Sequence, residues 1–414
     1  MRSYDGQSKT TVPSPRFERA PRTDSCERTN PRVKTEAHKA KEAKNDEFYT
    51  QYEDIQLEMN HSERHFAGKT VLCNCDDPFE SNFCKFFLRN FNHLRLARLI
   101  CTSYSTSPVM GLERTLFDEF EEEVRCGNGY VMDIKEVPME NGRGVSDDDI
   151  DRLLHSPKRG VKKLKGDGDF RSEECVDYLR QADIVVTNPP FSIFREYVAM
   201  LMDYKKHFLI IGNINAITYK EIFPLIKDNK LWLGCRGLNK DMYFNVKSEY
   251  QKYLLKNKKE GSAYKIIDGV VMGRLASACW YTNLDHNKRH EKLDLYKRYH
   301  GNEQDYPKYD NYDAINVDKT SDIPCDYFED MGVPITYIDK HNPEQFEIRN
   351  ANEIRTNDAV PMKPHGLIKD KDSVITTKKD EKNSEKDLTR NNEANTILTD
   401  RRITYARIVI RRKV

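Results

Sequence analysis

Long apolar runs and phosphate-binding loops are both missing from this 414-residue chain. No stretch of 18 or more apolar residues occurs, and the first thirty residues carry charges throughout without an apolar core segment. We therefore expect neither a membrane-spanning helix nor a secretory signal, and we expect a cytoplasmic protein. Neither G-x-G-x-x-G nor G-K-[ST] follows an apolar strand, which argues against a nucleotide phosphate cradle.

Paired cysteines and a strong excess of one charge are also absent. The ten cysteines include no C-x-x-C pair, and Cys73, Cys175 and Cys279 lie in otherwise apolar segments. This pattern is typical of reduced thiols, and we expect neither a disulfide framework nor a bound metal. The net charge is only +1, so the chain as a whole produces no field that would indicate a polyanionic partner.

Composition divides the chain into five parts. Residues 1–44 carry eleven lysines and arginines against six acids and have almost no aliphatic periodicity, which predicts a disordered basic arm. Residues 349–400 are charged and poor in aliphatics, which predicts a disordered linker. Residues 284–348 are dense in Tyr, Asn, Asp and Pro, the composition of an irregular recognition region. Residues 401–414 alternate apolar and basic side chains and predict a final strand.

Residues 45–283 show the alternation of an α/β domain, with an insertion over about 105–160. Short apolar runs alternate with amphipathic helical patterns, which predicts a mostly parallel, doubly wound sheet with helices on both faces. Ligands of such sheets bind outside the carboxyl ends of the strands. The apolar runs are 70–73, 97–101, 183–187, 207–211, 230–233 and 275–281.

The tetrapeptide Asn188-Pro189-Pro190-Phe191 follows one of these strands directly. The asparagine side-chain oxygen and the Pro189 carbonyl are acceptors, and the prolines restrict the angle between them. Two such acceptors would hold an exocyclic amino group with its nitrogen lone pair directed at an electrophile, while Phe191 offers a flat face to a base. The bland alternative is a strand-ending turn. The strand before the motif and the helical pattern after it favour an active site that alkylates an amino nitrogen of a flipped-out base.

Acidic and amide side chains end the first strand as well. Asn74, Asp76 and Asp77 follow residues 70–73, where they would hold a cofactor that carries an ammonium or hydroxyl groups. An ordinary helix start with acids in its first turn is the alternative. Farther along, Asp169 is a candidate acceptor for the amino group of a cofactor adenine, with Phe170 against the ring. The alternative there is a capping loop, with Ser172 as the N-cap.

An aromatic cluster comes just before the α/β domain. Phe48, Tyr49 and Thr50 would close over a cofactor or, alternatively, anchor the first helix.

These segments, in this order, resemble the EcoRI-type adenine-specific DNA methyltransferases. The resemblance is carried by "DEFYTQY", "CNCDDP" with "SNF", "GDGDFRS", "ADIVVTNPPFS", "YPKYDNYDAINV" and "NPEQFEI". It covers residues 45–104, 165–348 and the extreme C-terminus. Two departures from the wider methyltransferase class concern the cofactor: the glycine-rich loop is replaced by "CNCDDP", and no acid ends the second strand. Thr102, Ser103 or Tyr104 would then have to bind the ribose.

The resemblance implies a class I, Rossmann-like domain that binds S-adenosylmethionine without a metal. Phe48, Tyr49 and Thr50 match the family's N-terminal cofactor motif. By the same resemblance Asn74, Asp76, Asp77, Asp169 and Phe170 bind the cofactor, and Asn188, Pro189, Pro190 and Phe191 methylate adenine N6.

The implied partner is double-stranded DNA, read by residues 284–348. The enzyme would act as a monomer on the nucleoid, as the modification half of a restriction-modification system with a cognate endonuclease. Two alternatives stay open: methylation of RNA or of a protein amide, which the same motif would serve, and a catalytically silent nucleic-acid-binding relative.

Overall fold

The computed structural model describes most of the α/β domain, the region after it and a short C-terminal segment. The described residues are 49–76, 81–103, 129–138, 145–154, 161–238, 240–246, 248–275, 277–309, 312–349 and 407–413. The predicted basic arm over 1–44 lies outside them, as does nearly all of the predicted linker over 349–400. All described residues belong to one compact unit, Asp46–Val414.

Four parallel strands form the centre of a large sheet. They are β2 (Thr70–Cys73), β3 (Arg98–Ser103), β6 (Ile184–Thr187) and β7 (His207–Asn213), and their spatial order is β3-β2-β6-β7. Val71 pairs with Leu99 on one side and with Ile184 on the other, and Thr187 pairs with Ile210. The apolar runs expected from the sequence at these four positions are therefore strands of one sheet, and their carboxyl ends share one edge.

Antiparallel strands extend this sheet on both sides. β4 (Tyr130–Ile134) and β5 (Val161–Lys163) continue it beyond β3, whereas β12 (Ala278–Thr282) and β8 (Trp232–Leu233) continue it beyond β7. Every pairing on these flanks is antiparallel. The sequence-based expectation of a mostly parallel sheet thus holds only for its centre.

The chain's route explains one antiparallel flank. The chain returns to the large sheet with β12, whose first residue, Ala278, pairs with Asn213 at the carboxyl end of β7. β12 must therefore run antiparallel to β7. On the other flank, β4 falls within the stretch 105–160 that the sequence marked as an insertion. Residues 104–128 lie outside the described part, but β4 pairs with β3 and belongs to the sheet.

Helices cover both faces of the large sheet because its strands are apolar on both sides. Val71 and Val186 pack with α1 (Tyr52–Met59), α2 (Asn82–Arg89) and α3 (Asp147–Leu154). Leu72 and Val185 pack with α4 (Glu173–Gln181), α5 (Phe194–Asp203) and α6 (Phe223–Lys227). Ser172 caps α4 as the sequence predicts, because its side chain accepts a hydrogen bond from the Cys175 amide at 3.3 Å.

Two four-stranded sheets complete the described part. The first has the order β1-β9-β11-β10 and carries α7 (Ser248–Asn257); its strands are β1 (Tyr49–Thr50), β9 (Met242–Asn245), β10 (Tyr264–Ile267) and β11 (Val270–Leu275). The second has the order β13-β14-β16-β15 and comprises β13 (Ile315–Asn316), β14 (Met331–Pro334), β15 (Phe346–Ile348) and β16 (Arg407–Arg412).

The second small sheet packs on the large one. Ile408 and Ile410 of β16 are buried in the same cluster as α4 and α5. No helix in the described ranges is both long and apolar enough to cross a membrane.

Candidate active site

The polar side chains that the sequence singled out gather at the carboxyl edge of the parallel strands. Cys73 ends β2 and pairs with Cys101 of β3, so residues 74–76 emerge next to Thr102 and Ser103. On the other side of β2, Thr187 ends β6 and leads into the Asn-Pro-Pro-Phe motif. The strand order changes direction at β2, because the chain passes from β2 to β3 on one side and returns with β6 on the other. Ligands of open α/β sheets bind at such a point.

Asp76 ties the loop after β2 to its surroundings. It is 7% exposed, its Oδ1 accepts from the Ser81 hydroxyl at 2.7 Å, and its Oδ2 accepts from the Thr187 hydroxyl. Its amide donates to the Thr102 carbonyl at 3.3 Å. Ser81 in turn caps α2 by accepting from the Phe83 amide. Asp76 therefore fixes the ends of β2, β3 and β6 relative to one another, while its predicted contact with a cofactor stays a prediction.

Asn74 is held by a tyrosine that the sequence did not single out for the site. The Tyr197 hydroxyl of α5 donates to Asn74 Oδ1, and both residues are buried. Burial raises the pKa of Tyr197 well above its ordinary value, so the phenol stays protonated and remains the donor. The contact fixes the orientation of the Asn74 amide and leaves its nitrogen, which has no partner among the described residues, as a directed donor.

Four buried polar atoms, in β1, in β3 and just after β2, lack partners among the described residues. They are the side-chain atoms Thr50 Oγ1, Asn74 Nδ2, Thr102 Oγ1 and Ser103 Oγ. An unsatisfied buried polar group costs about 1–3 kcal/mol, so those near a strand end are candidates for hydrogen bonds to a polar ligand. Hydroxyl and amide groups suit the ribose and amino-acid parts of a cofactor such as S-adenosylmethionine. The residues present therefore fit that cofactor.

The backbones of Gly129, Gly168 and Ser103 lie in close contact. A Cβ atom on Gly129 would lie 2.5 Å from the Ser103 carbonyl oxygen and 2.7 Å from Gly168 Cα. The Gly129 amide donates to the Gly166 carbonyl at 2.9 Å. Only glycine permits this approach, which brings the 165–170 loop to the end of β3.

The 165–170 loop places its two predicted cofactor residues differently. Phe170 is 6% exposed and meets the ring of Tyr197 edge-on, with 5.2 Å between ring centroids. Asp169 accepts from the Arg171 side chain at 2.7 and 3.0 Å and from the Arg171 amide at 2.8 Å. These hydrogen bonds from Arg171 hold the pKa of the Asp169 carboxyl below its ordinary value. A bound adenine would meet an ionised carboxylate that is already oriented by an arginine.

The Asn-Pro-Pro-Phe motif forms a stiff turn between β6 and α5. Asn188 is partly exposed and Pro189 is buried. Pro190 has φ −55° and ψ 130°, and its carbonyl accepts from the Ile193 amide at 3.1 Å. A single 3₁₀ turn, Phe191–Ile193, then leads into α5, whose Tyr197 contacts Asn74. The same helix thus follows the motif and contacts Asn74 after β2.

Part of the predicted site lies outside the described residues: Phe48, Asp77 and Tyr104. Tyr49 and Thr50 form β1, and Thr50 is buried, with its carbonyl accepting from the Asn82 side chain at 2.7 Å. Within the described ranges, no group of three His, Cys, Asp or Glu side chains is arranged to hold a metal ion.

Tyr197, Thr187 and Ser81 are the residues that sequence reasoning missed. In the sequence, Tyr197 is one of the positions on the apolar face of the helical pattern that follows the Asn-Pro-Pro-Phe motif. Its phenol is the signal, because a tyrosine on a buried face needs a hydrogen-bond partner.

Comparison with known proteins finds a matching family model and several similar enzymes. The family model described as "Adenine-specific methyltransferase EcoRI" matches residues 36–413. The chain is 47% identical to the Type II methyltransferase M.EcoRI of Escherichia coli over 75% of this chain and 87% of that enzyme. It is 38% identical to the Type II methyltransferase M.MpnI of Mycoplasma pneumoniae over 75% of this chain and 84% of that enzyme.

A further relative is the Type II methyltransferase M.MgeORF184P of Mycoplasma genitalium. It is 37% identical over 80% of this chain and 91% of that enzyme. No solved structure matches the chain.

Proposed function

The chain belongs to the EcoRI-type family of adenine-specific DNA methyltransferases, and from this premise we propose that it methylates N6 of an adenine in double-stranded DNA, with S-adenosylmethionine as methyl donor. The observation that carries the proposal is the position of Asn188-Pro189-Pro190-Phe191. The motif directly follows a central parallel strand, and the neighbouring strand β2 leads into Asn74, whose buried side-chain nitrogen lacks a partner among the described residues.

Asn188 and the Pro189 carbonyl act as two acceptors for the target amino group. An exocyclic amino group has two N–H donors, so two fixed acceptors direct its lone pair away from both. Phe191 stacks on the extruded base, which must leave the helix to reach a partly enclosed edge. The bound cofactor supplies an electrophilic methyl group. Because the nitrogen loses its proton to solvent only after it has acquired the methyl group, this chain needs no general base.

Residues in β1, in β3 and just after β2 would hold the cofactor. Asn74 Nδ2, Thr50, Thr102 and Ser103 would supply hydrogen bonds to it, because their side-chain polar atoms lack partners among the described residues. Phe170 and Asp169 would contact the adenine part, and Asp76 would act as a positioning residue through Ser81 and Thr187. Phe48, Tyr49 and Asp77 remain predicted contacts.

The fold proposed for this domain is the class I, Rossmann-like methyltransferase fold. The order β4-β3-β2-β6-β7, with its reversal at β2 and helices on both faces, supports that assignment.

The wider biological role is also a proposal. Three relatives are named type II methyltransferases, which supports a modification enzyme that protects one DNA sequence from a cognate endonuclease. We propose a monomeric enzyme whose residues 284–348 read that sequence. Sedimentation of the free enzyme tests the monomer.

Transfer of a labelled methyl group tests the function directly. Purified protein is incubated with labelled S-adenosylmethionine and, in parallel, with duplex DNA of mixed sequence, with RNA and with a protein extract. We expect label in DNA, recovered as N6-methyladenine after hydrolysis. Label in RNA or protein alone would favour the alternative substrates, and no transfer at all would favour a silent binding protein.

A further inference from the structure

A lysine-rich helix and hairpin stand at the same edge of the molecule as the methylation motif. We call residues 248–275, which comprise α7, β10 and β11, the lysine module. The module contains six basic residues against three acidic ones. It lies outside residues 284–348, which were expected to recognise the target.

The lysine module is attached to the carboxyl edge at two points. On one side, Asn213 at the end of β7 donates from its side chain to the Ser277 hydroxyl at 2.9 Å, and the Ile214 amide donates to the Ser277 carbonyl at 2.6 Å. On the other side, β9 connects β11 to β1, whose Thr50 carbonyl accepts from Asn82. Asn213 lies three residues, or about 10 Å, beyond the Ile210 partner of Thr187. The module is therefore anchored at the edge of the sheet from which the turn that carries Asn188 also emerges.

The module has a small core of its own and a rigid tip. Leu254 of α7 packs with Val246, Tyr264 and Val271. Ile267 pairs with Val270 across a two-residue turn, Asp268-Gly269, with φ values of 50° and 79°. Two consecutive positive φ angles are typical of the tight hairpin turn that matches the twist of its strands. The β10–β11 hairpin therefore ends in a tight turn of defined conformation.

The surface of the module combines free cations with exposed apolar groups. Its five lysines are exposed, and none forms an ion pair with another described residue. They are Lys252, Lys256, Lys258, Lys259 and Lys265. Eight large apolar or aromatic side chains are exposed in the described ranges, and five belong to the module: Tyr253, Leu255, Ile266, Ile267 and Val270.

We infer that the lysine module is a second DNA-contacting element, which binds the duplex next to the base that Asn188 receives. Unpaired lysines suit phosphates, and an apolar tip suits the sugars and base edges of a groove, into which DNA-bending proteins insert apolar side chains. Lys252 and Lys256 lie one turn apart on α7 and would follow one strand of the backbone. The inference rests on the proposed DNA substrate but names a surface that this substrate alone does not specify.

Two double variants separate the charged contact from the apolar one. Lys252→Gln/Lys256→Gln removes two phosphate contacts, so the affinity for a mixed-sequence 30-base-pair duplex should fall about tenfold at moderate salt. The slope of log affinity against log salt should become shallower by about 1.8. Ile267→Ser/Val270→Ser should lower the affinity about tenfold without changing that slope, because an apolar contact releases no counterions.

Lys205→Gln/Lys227→Gln is the matched control. These lysines precede β7 and β8 at the amino edge and form no ion pair with another described residue, so their loss should leave affinity and slope unchanged. Unchanged binding and salt slope in Lys252→Gln/Lys256→Gln would overturn the inference, as would an equal loss in the control. A change in sedimentation of Ile267→Ser/Val270→Ser with DNA affinity intact would overturn it in favour of self-association.

The methyl-transfer rate separates this inference from the proposed function. If the wild-type enzyme methylates DNA while the two module variants keep the wild-type KM for DNA, the inferred DNA contact of the lysine module is refuted. The proposed function is then retained. If the wild-type enzyme transfers no methyl group to DNA, the proposed function itself fails. Thermal unfolding of each variant confirms that the fold is retained.

Discussion

Two buried threonines on either side of β2 have opposite surroundings. Thr187 ends β6, and its hydroxyl donates to Asp76; Thr102 lies in β3, and its hydroxyl has no partner among the described residues. Both are 0% exposed. On the side toward β6, the threonine hydroxyl is therefore satisfied within the protein, and its hydrogen bond fixes the residue that precedes the Asn-Pro-Pro-Phe turn. The side toward β3 is left incomplete, as a binding site for a polar cofactor requires.

The largest expected effect is the loss of methyl transfer when the Asn-Pro-Pro-Phe motif, on the β6 side, is changed. Asn188→Ala removes one of the two acceptors proposed for the amino group, so methyl transfer should fall on the order of 100-fold or more, as when one oriented polar group is lost from an active site. Cofactor binding, measured by calorimetry, should persist. The exposed Asn60 at the end of α1 offers a control, because Asn60→Ala should leave both quantities unchanged. A fully active Asn188→Ala enzyme would refute the assigned role.

The threonine pair itself should respond with opposite signs. Thr187→Val removes a donor from the buried Asp76 carboxylate and should lower the free energy of unfolding by about 1.5–3 kcal/mol. Thr102→Val removes an unsatisfied hydroxyl and should raise the free energy of unfolding of the cofactor-free protein by about 1 kcal/mol, while weakening cofactor binding about tenfold. Denaturant unfolding and calorimetry measure the two effects. Equal destabilisation by both substitutions would contradict the contrast between the two sides.

Tyr197→Phe tests whether the hydrogen bond from α5 to Asn74 contributes to cofactor binding. The substitution leaves Asn74 Oδ1 without its donor, so the amide loses its fixed orientation and cofactor affinity should fall about fivefold. Tyr178→Phe on α4, where the tyrosine is only half-buried, is the matched control. Wild-type cofactor affinity in Tyr197→Phe would show that the contact does not position Asn74.

The smallest effect concerns acid titration of the 165–170 loop. Because the pKa of Asp169 is lowered in the folded protein, chiefly by hydrogen bonds from Arg171, the contact stabilises the fold above the ordinary carboxyl pKa. That stabilisation is lost as the pH falls through the lowered value. Arg171→Gln should raise the Asp169 pKa, measured by NMR of the carboxyl carbon. An unchanged pKa would show that Arg171 does not set the ionisation of Asp169.

The sequence was sufficient to predict the central strands, because β2, β6 and β7 are short apolar runs that end in polar or proline-rich turns. It also located Asn188, Asn74 and Thr102 at strand ends. Contacts such as Tyr197 with Asn74 or Thr187 with Asp76 join residues more than 100 positions apart, and only the register of the sheet brings them together.

The strand order of the smaller sheets could not be predicted from the sequence either. The position of β16 between β14 and β15 depends on partners more than 50 residues away along the chain. The hairpin of the lysine module was within reach, because Asp268-Gly269 between apolar pairs is a strong local turn signal. Its attachment to the carboxyl edge follows from the contacts of Ser277 with Asn213 and Ile214 and from the pairing of β9 with β1, which join residues far apart in the sequence.

Mapping of modified adenines tests the central claim most directly, because that claim joins a chemistry to one turn at the carboxyl edge. DNA is isolated from cells that express either the wild-type protein or Asn188→Ala, and N6-methyladenine is located base by base. The account predicts N6-methyladenine at one short sequence in cells with the wild-type protein and none above background with Asn188→Ala. Unmodified DNA from cells that produce the folded wild-type protein, or equal modification by both proteins, would contradict it.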